Sequence, residues 1–246
     1  GSQKLSKTFY KRFAYRGLLD DDIYWINANN AVDIDNDGSI DYGIVDDVNL
    51  SVENFIASIK AEESVDKNGP LYIYMVDHGS NGAFKIASGE ILYATKLKTS
   101  LDEFVQSTDR DVVVIIEACK SGSFVPILTN QYTSEKIAVI ASSEAGKLSY
   151  IDKFGNISFT KFLADELLSG KTLNKAYEDA TTKLHEQGSV YFSQQPVLQA
   201  SVDLLNIKIG GNFAAASMSL TSIDEVFVDN VSVEDNTQVD LLKKKN

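Results

Sequence analysis

Apolar residues along this chain fall into two patterns. One is the short block: Leu71-Tyr72-Ile73-Tyr74-Met75-Val76, Val112-Val113-Val114-Ile115-Ile116 and Ile137-Ala138-Val139-Ile140-Ala141. Each block is short for a helix and rich in β-branched, aliphatic or aromatic side chains, so each predicts a strand. The last two are apolar without alternation, as in a parallel sheet covered on both faces. The other pattern is the helical stripe. Phe9 and Phe13 lie one turn apart in a basic segment over 3–16 that runs into Gly17. Val52, Phe55, Ile56 and Ile59 predict a helix over 51–61. Phe159, Phe162, Leu163 and Leu167 predict one over 158–168. Leu173, Ala176, Tyr177, Ala180 and Leu184 predict one over 173–187.

Weaker patterns fill the gaps. Ile23-Tyr24-Trp25-Ile26 predicts a short strand, and residues 84–93 a hairpin turned at Ala87-Ser88-Gly89-Glu90. Ser100 with Glu103 predicts a capping box for a helix running through Val105. Residues 195–202 predict the last strand of the sheet, Pro196 suiting an edge. Strands alternating with helices predict an α/β fold, a three-layer α/β/α sandwich on a mainly parallel sheet, over 3–205. Beyond Leu205, residues 207–213 and 217–233 alternate apolar with polar, which predicts a small C-terminal β appendage, or the start of a further domain, over 206–246 with a frayed end.

Composition narrows the function. A net charge of −12 argues against nucleic acid or an anionic membrane surface as a general partner. No apolar run approaches the ~20 residues of a membrane span. A single cysteine excludes an internal disulfide.

The chemistry collects at two strand ends. The block 112–116 continues into Glu117-Ala118-Cys119 and a small turn, Ser121-Gly122-Ser123. The block 71–76 continues into Asp77-His78-Gly79-Ser80. Ligand sites in open α/β sheets lie beyond the carboxyl ends of the strands. A thiol and an imidazole from neighbouring strands would therefore meet at one sheet edge. The imidazole favours a thiolate and later protonates a leaving amine. A glycine beside it lets backbone N–H groups approach a substrate carbonyl. A lone cysteine at a strand end is more often a small buried apolar residue, and a lone histidine more often structural. The two together, in a chain with only two histidines, outweigh that bland reading. His185, on a predicted helix, reads as exposed or structural.

Asp77-His78-Gly79-Ser80 and Glu117-Ala118-Cys119-Lys120-Ser121-Gly122-Ser123 resemble, in order and spacing, the two catalytic motifs of the legumain-like cysteine peptidases, which share the caspase-like fold with caspases, gingipains and clostripain. The resemblance spans about residues 5–205. It implies a caspase-like sandwich, a His78–Cys119 dyad, and the N–H groups of Gly79 and Cys119 as oxyanion hole. It also implies protein or peptide substrates and an extracellular or cell-surface setting. The family's first strand, which carries a pocket arginine, has no counterpart in this sequence; either the chain is truncated or a second polypeptide supplies that strand.

The pocket departs from the family's pattern. Lys120 stands where the family has a glutamate, and the later pocket serine and aspartate fall on Ser149 and Asn156; Ser142, closing the strand 137–141, joins them as a substrate-binding candidate. A cation and an amide in place of two acids fit an acidic or amide P1 side chain better than Lys or Arg. Against this, a lysine usually points into solvent. A cysteine endopeptidase is the leading function. The alternatives are a catalytically silent caspase-like binding or assembly module, supported by the absent strand, and a transpeptidase or ligase using the same dyad.

A second chemical motif is Asp33-Ile34-Asp35-Asn36-Asp37-Gly38-Ser39-Ile40-Asp41. Alternate carboxylates followed by a glycine suit a hard cation. Asp33, Asp35, Asp37 and Asp41 with the Ser39 carbonyl predict one structural Ca²⁺, Asp46 or Asp47 completing the shell. The competing reading is a solvated acidic turn.

Overall fold

The structure, a computed structural model, describes residues 1–65, 69–130 and 135–210. Its centre is a four-stranded sheet. β1 (Leu71–Val76), β5 (Val112–Glu117) and β6 (Ile137–Ala141) run parallel, and β7 (Val197–Gln199) pairs antiparallel with β6. Every residue of β5 and β6 is buried, as unbroken apolar blocks require. A small antiparallel sheet of β2 (Gly79–Ser80), β3 (Ala83–Ala87) and β4 (Glu90–Tyr93) follows β1 directly. The β3–β4 hairpin is the expected one, with Gly89 at φ +83° in its turn.

Strand alternation separates two apolar layers. Val112, Val114 and Ile116 pack on one side against Ile59 of α2 (Val52–Ala61) and against Leu97, Leu101 and Phe104 of α3 (Ala94–Thr108). Val113 and Ile115 pack on the other against α1 (Ser2–Tyr15), α5 (Phe159–Leu168) and α6 (Leu173–His185). The result is the three-layer sandwich, and each predicted helical stripe faces its core. Between β5 and β6 lies the short helix α4 (Val125–Leu128). The helical turns α7 (Ser189–Phe192) and α8 (Val202–Leu205) flank β7. Phe9 stacks on Tyr74 of β1, ring centroids 3.7 Å apart, and Arg12 donates to Asp165 of α5 at 3.0 Å, so α1 is tied to both sheet and helix. Among the described residues no helix is long and apolar enough to cross a membrane.

Three expectations are corrected. Ile23-Tyr24-Trp25-Ile26 forms no strand beyond one parallel bridge from Ile26 to Asp47. Its backbone is taken by the acidic segment instead: Asp46 N–H donates to Trp25 C=O at 3.0 Å, and Trp25 N–H to the Asp46 carboxylate at 2.7 Å. Ser100 is not a cap. α3 begins at Ala94, straight from β4, and Ser100 lies inside it, its hydroxyl donating back to Lys96 C=O at 3.3 Å. The apolar stripe through Ala94, Leu97, Leu101 and Phe104 decides the helix and overrides the local capping signal. Val202 starts a helical turn rather than ending the last strand. Of the predicted β appendage, residues 206–210 form loop and turn, with Ile209 in the core, and residues 211–246 lie outside the described residues.

Ser100→Ala tests the helix assignment. Inside a helix alanine is favoured by a few tenths of a kcal/mol, whereas loss of a cap costs ~1 kcal/mol. Chemical unfolding is expected to show unchanged or slightly raised stability.

Candidate active site

The two strand ends meet because their register is fixed. Val76 pairs with Glu117, and the ladder closes with Asp77 N–H donating to Glu117 C=O at 3.3 Å. His78 and Cys119 each lie two residues past that pair. Gly79 makes the closest approach. A Cβ built on it would lie 2.5 Å from Cys119 C=O and 2.8 Å from Ala118 Cβ, distances only glycine permits. Lys85 N–H donates to His78 C=O at 2.9 Å, which puts Gly79 at a non-hydrogen-bonded position opposite Phe84, its N–H turned away from β3.

The turn after Cys119 is held as tightly. A Cβ on Gly122 would lie 2.7 Å from Ser143 C=O, and Gly122 N–H donates to that carbonyl at 2.8 Å. Lys120 takes a left-handed conformation, φ +58°, and its N–H donates to Lys147 C=O at 2.8 Å. Such a conformation in a non-glycine residue costs ~1 kcal/mol or more and persists where surrounding contacts enforce it. Gly82 N–H donates to Ser123 Oγ at 2.8 Å, and Ser123 Oγ to Lys120 C=O at 2.6 Å, so the histidine hairpin and the cysteine turn are stitched together.

Cys119 is buried, 3% exposed, with Sγ 3.7 Å from Ser149 C=O. The His78 side chain is 44% exposed, Nε2 lying 3.9 Å from Asp77 Oδ1. Of the two side chains the thiol is thus the sheltered one and the imidazole the accessible one. Ser142 and Ser149 come together beneath Cys119: Ser142 Oγ donates to Ser149 Oγ at 2.9 Å, and Ala118 N–H to Ser142 Oγ at 3.2 Å. Lys120, the residue after Cys119, is half-buried. Asn156 is exposed and accepts from Lys4 Nζ of α1 at 3.1 Å.

The sequence reading passed over a second set of polar residues. Glu117 is completely buried, and its carboxylate accepts from Ser149 Oγ, from Thr160 N–H at 2.9 Å and from Thr160 Oγ at 2.7 Å. Gln194, also fully buried, donates to Ser142 C=O at 2.8 Å and accepts from Tyr150 N–H at 3.1 Å. One signal for Glu117 was available: a carboxylate closing an otherwise apolar buried strand must find donors. Nothing in the spacing pointed to Thr160 or Gln194.

In the acidic loop between α1 and α2, carboxylate oxygens of Asp33, Asp35 and Asp37 lie within 4.8 Å of one another. Asp33 Oδ1 is buried without a hydrogen-bond partner. Desolvation acts to raise the Asp33 pKa, but N–H donors from Gly38, Asn36 and Asp37 and the Lys7 ammonium outweigh it and hold the group below the usual carboxylate range. Asp41 accepts from Ile34 N–H at 2.7 Å. Asp46 and Asp47 bind elsewhere, Asp46 to Trp25 N–H and Asp47 to Asn49 N–H at 2.7 Å.

A mainly parallel α/β sandwich with a histidine and a cysteine at adjoining strand ends is the scaffold of a cysteine peptidase. The profile of the Peptidase C13 family matches residues 23–205, and the chain belongs to that family. Among solved structures the chain is similar to caspase-1 from Spodoptera frugiperda, with a TM-score of 0.48 and 17% identity, over 63% of this chain and 69% of that one. No curated protein matches the chain.

Gly79→Ala is expected to lower stability by about 1–3 kcal/mol, because the methyl group meets backbone rather than a flexible side chain. Gly146→Ala, with nothing within 4 Å of its added Cβ, is the control and is expected to change stability far less. Urea unfolding of the two variants checks the difference.

Proposed function

We propose that the chain is an endopeptidase that cleaves through a Cys119 thioester, with His78 as general acid and base. The observation that carries this is the abutment of Gly79 on the Cys119 carbonyl, which fixes the two strand ends against each other. His78 takes the thiol proton, and the sulfur attacks the scissile carbonyl. The developing oxyanion is received by the N–H groups of Gly79 and Cys119. His78 then protonates the departing amine, and water, deprotonated by His78, releases the acyl group. A transpeptidase or ligase differs only in the last step, where an amine replaces water. A catalytically silent module is the competing reading from another class. It is sunk by specific labelling of Cys119 with a peptidyl electrophile.

We assign the P1 preference to acidic or amide side chains, with Lys120, Ser142, Ser149 and Asn156 as the substrate-binding set. The support is chemical: Lys120 supplies a cation, whereas a pocket for Lys or Arg needs negative charge at the mouth. Ser142 and Ser149 act from beneath, since their hydroxyls are engaged with each other and with Glu117. A strand from a second polypeptide beside β1 belongs to the same proposal, because β1 ends the sheet order among the described residues.

We further propose a structural Ca²⁺ at Asp33, Asp35 and Asp37, supplemented by Asp41 and the Ser39 carbonyl. The convergence of three carboxylates and the partnerless buried Asp33 Oδ1 support it. A surface loop of this kind suits the higher calcium concentrations outside cells, consistent with an extracellular setting.

Cys119→Ala is expected to abolish peptide turnover while leaving the unfolding midpoint within a few degrees. Full activity in this variant refutes the dyad. Lys120→Glu is expected to erode a preference for Asp at P1 by roughly ten- to a hundredfold in kcat/KM, the effect of about 1–3 kcal/mol from one charge-assisted contact. A wild type that cleaves best after Arg or Lys contradicts the pocket assignment. Asp35→Ala is expected to lower the melting temperature in calcium but not in EDTA; equal melting curves in both conditions for the wild type argue against the metal.

A further inference from the structure

Glu117 is the one carboxylate among the described residues with no exposed surface, and the reaction described above does not use it. Its donors from Thr160 and Ser149 are all neutral. Thr160 gives N–H and Oγ–H from the first turn of α5, where the helix dipole also favours an anion. Ser149 gives its Oγ–H from the loop after β6. The direction of each hydrogen bond is therefore set. A carboxylate accepts only, so the Ser149 proton must point to Glu117, and the Ser149 oxygen is left to accept from Ser142 at 2.9 Å. Thr160 Oγ, having spent its proton on Glu117, accepts from Tyr74 OH at 3.0 Å. Burial, and then the Glu117 charge, push the Tyr74 phenol well above its usual pKa, so it stays a donor.

The same Ser149 that Glu117 fixes by its side chain meets Cys119 through its main chain, with Sγ 3.7 Å from its carbonyl oxygen. The loop carrying Ser149 has no regular secondary structure of its own, and Glu117 holds it at the point where it passes the thiol. We infer that Glu117 is a positioning residue for Cys119: through Ser149 it sets the carbonyl against which the thiol rests, and so the place from which sulfur attacks. A misplacement of about 1 Å at a reacting atom lowers rate far more than it lowers binding, so the loss falls on kcat.

The inference rests on Cys119 being the nucleophile. Its test uses kcat and KM on a fluorogenic peptide with Asp or Asn at P1, each variant counted by titrating Cys119 with a peptidyl electrophile, so that unfolded molecules drop out. Ser149→Ala is expected to lower kcat per titrated site about tenfold, and Glu117→Ala at least a hundredfold, the KM of Glu117→Ala staying within threefold of wild type. Glu117→Gln keeps an acceptor for Thr160 but must donate to Ser149, reversing that bond. It is expected to recover at least tenfold over Glu117→Ala. The double variant Glu117→Gln with Ser149→Ala is expected to be no worse than the poorer single variant, since both act along one path. If Glu117→Ala does not fold, Ser149→Ala and Glu117→Gln decide. Wild-type kcat per site in both, with only a lowered melting temperature, overturns the inference and leaves the dyad standing provided Cys119→Ala is inactive. An active Cys119→Ala overturns the dyad itself.

Discussion

The parallel pairing of β1 with β5 is the constraint on which the rest of this molecule depends. It brings together two segments some forty positions apart in sequence, in a register in which Val76 faces Glu117. Each strand then runs two residues further before turning, and those residues are His78 and Cys119. The pairing is secured because β5 has no exposed position: its even members fill one apolar layer and its odd members the other. A register slip by one residue would turn Glu117 into the opposite layer, away from its donors, and would exchange every apolar contact of the strand. The candidate active site is thus the place where a strongly specified ladder ends, and glycine at 79 and 122 lets the turns beyond it touch backbone to backbone.

The charges of the molecule follow two separate designs. Beneath the site, one buried carboxylate is satisfied by hydroxyl and amide donors, and an unpaired anion in that position would be costly without them. On the surface the acidic loop crowds carboxylates that are partly answered by α1: Lys7 Nζ bonds Asn36 Oδ1 at 2.5 Å and Lys11 Nζ donates to Ile34 C=O at 2.8 Å. Burial, with the nearby Lys7 and Arg12 charges, lowers the Lys11 pKa to about 8, while Asp35 and Asp33 pull it the other way. The basic face of the first helix and the acidic loop therefore form one electrostatic unit. The position of that loop is coupled to α1 and, through Phe9 on Tyr74, to β1.

Much of this was legible in the sequence, for a physical reason. Unbroken apolar blocks such as 112–116 and 137–141 can be satisfied only by burial on both faces, and stripes such as Leu173, Ala176, Ala180 and Leu184 only by a helix against a core. What followed each block then located the thiol and the imidazole. The misreadings arose where a local signal competed with a tertiary one. Ser100 and Glu103 have capping spacing, but the stripe beginning at Ala94 buries more apolar surface than a cap stabilises. Ile23-Tyr24-Trp25-Ile26 has strand composition, but Trp25 packs on Tyr10 with ring centroids 5.3 Å apart, and its backbone bonds the acidic segment. The network of Glu117, Ser149, Thr160 and Gln194 joins residues from four separate segments, and no periodicity links such positions.

The account centres on His78 acting on Cys119 across the ends of β1 and β5, and one measurement tests it most directly. The wild type and His78→Ala are treated with a peptidyl electrophile carrying Asp or Asn at P1, and the adduct is mapped by mass spectrometry while its rate of formation is followed. The account predicts a single adduct on Cys119 and a rate at least a hundredfold lower in His78→Ala, within the ~10²–10⁴-fold range typical of general acid–base catalysis. Equal rates in the two proteins, or an adduct elsewhere than Cys119, would contradict it.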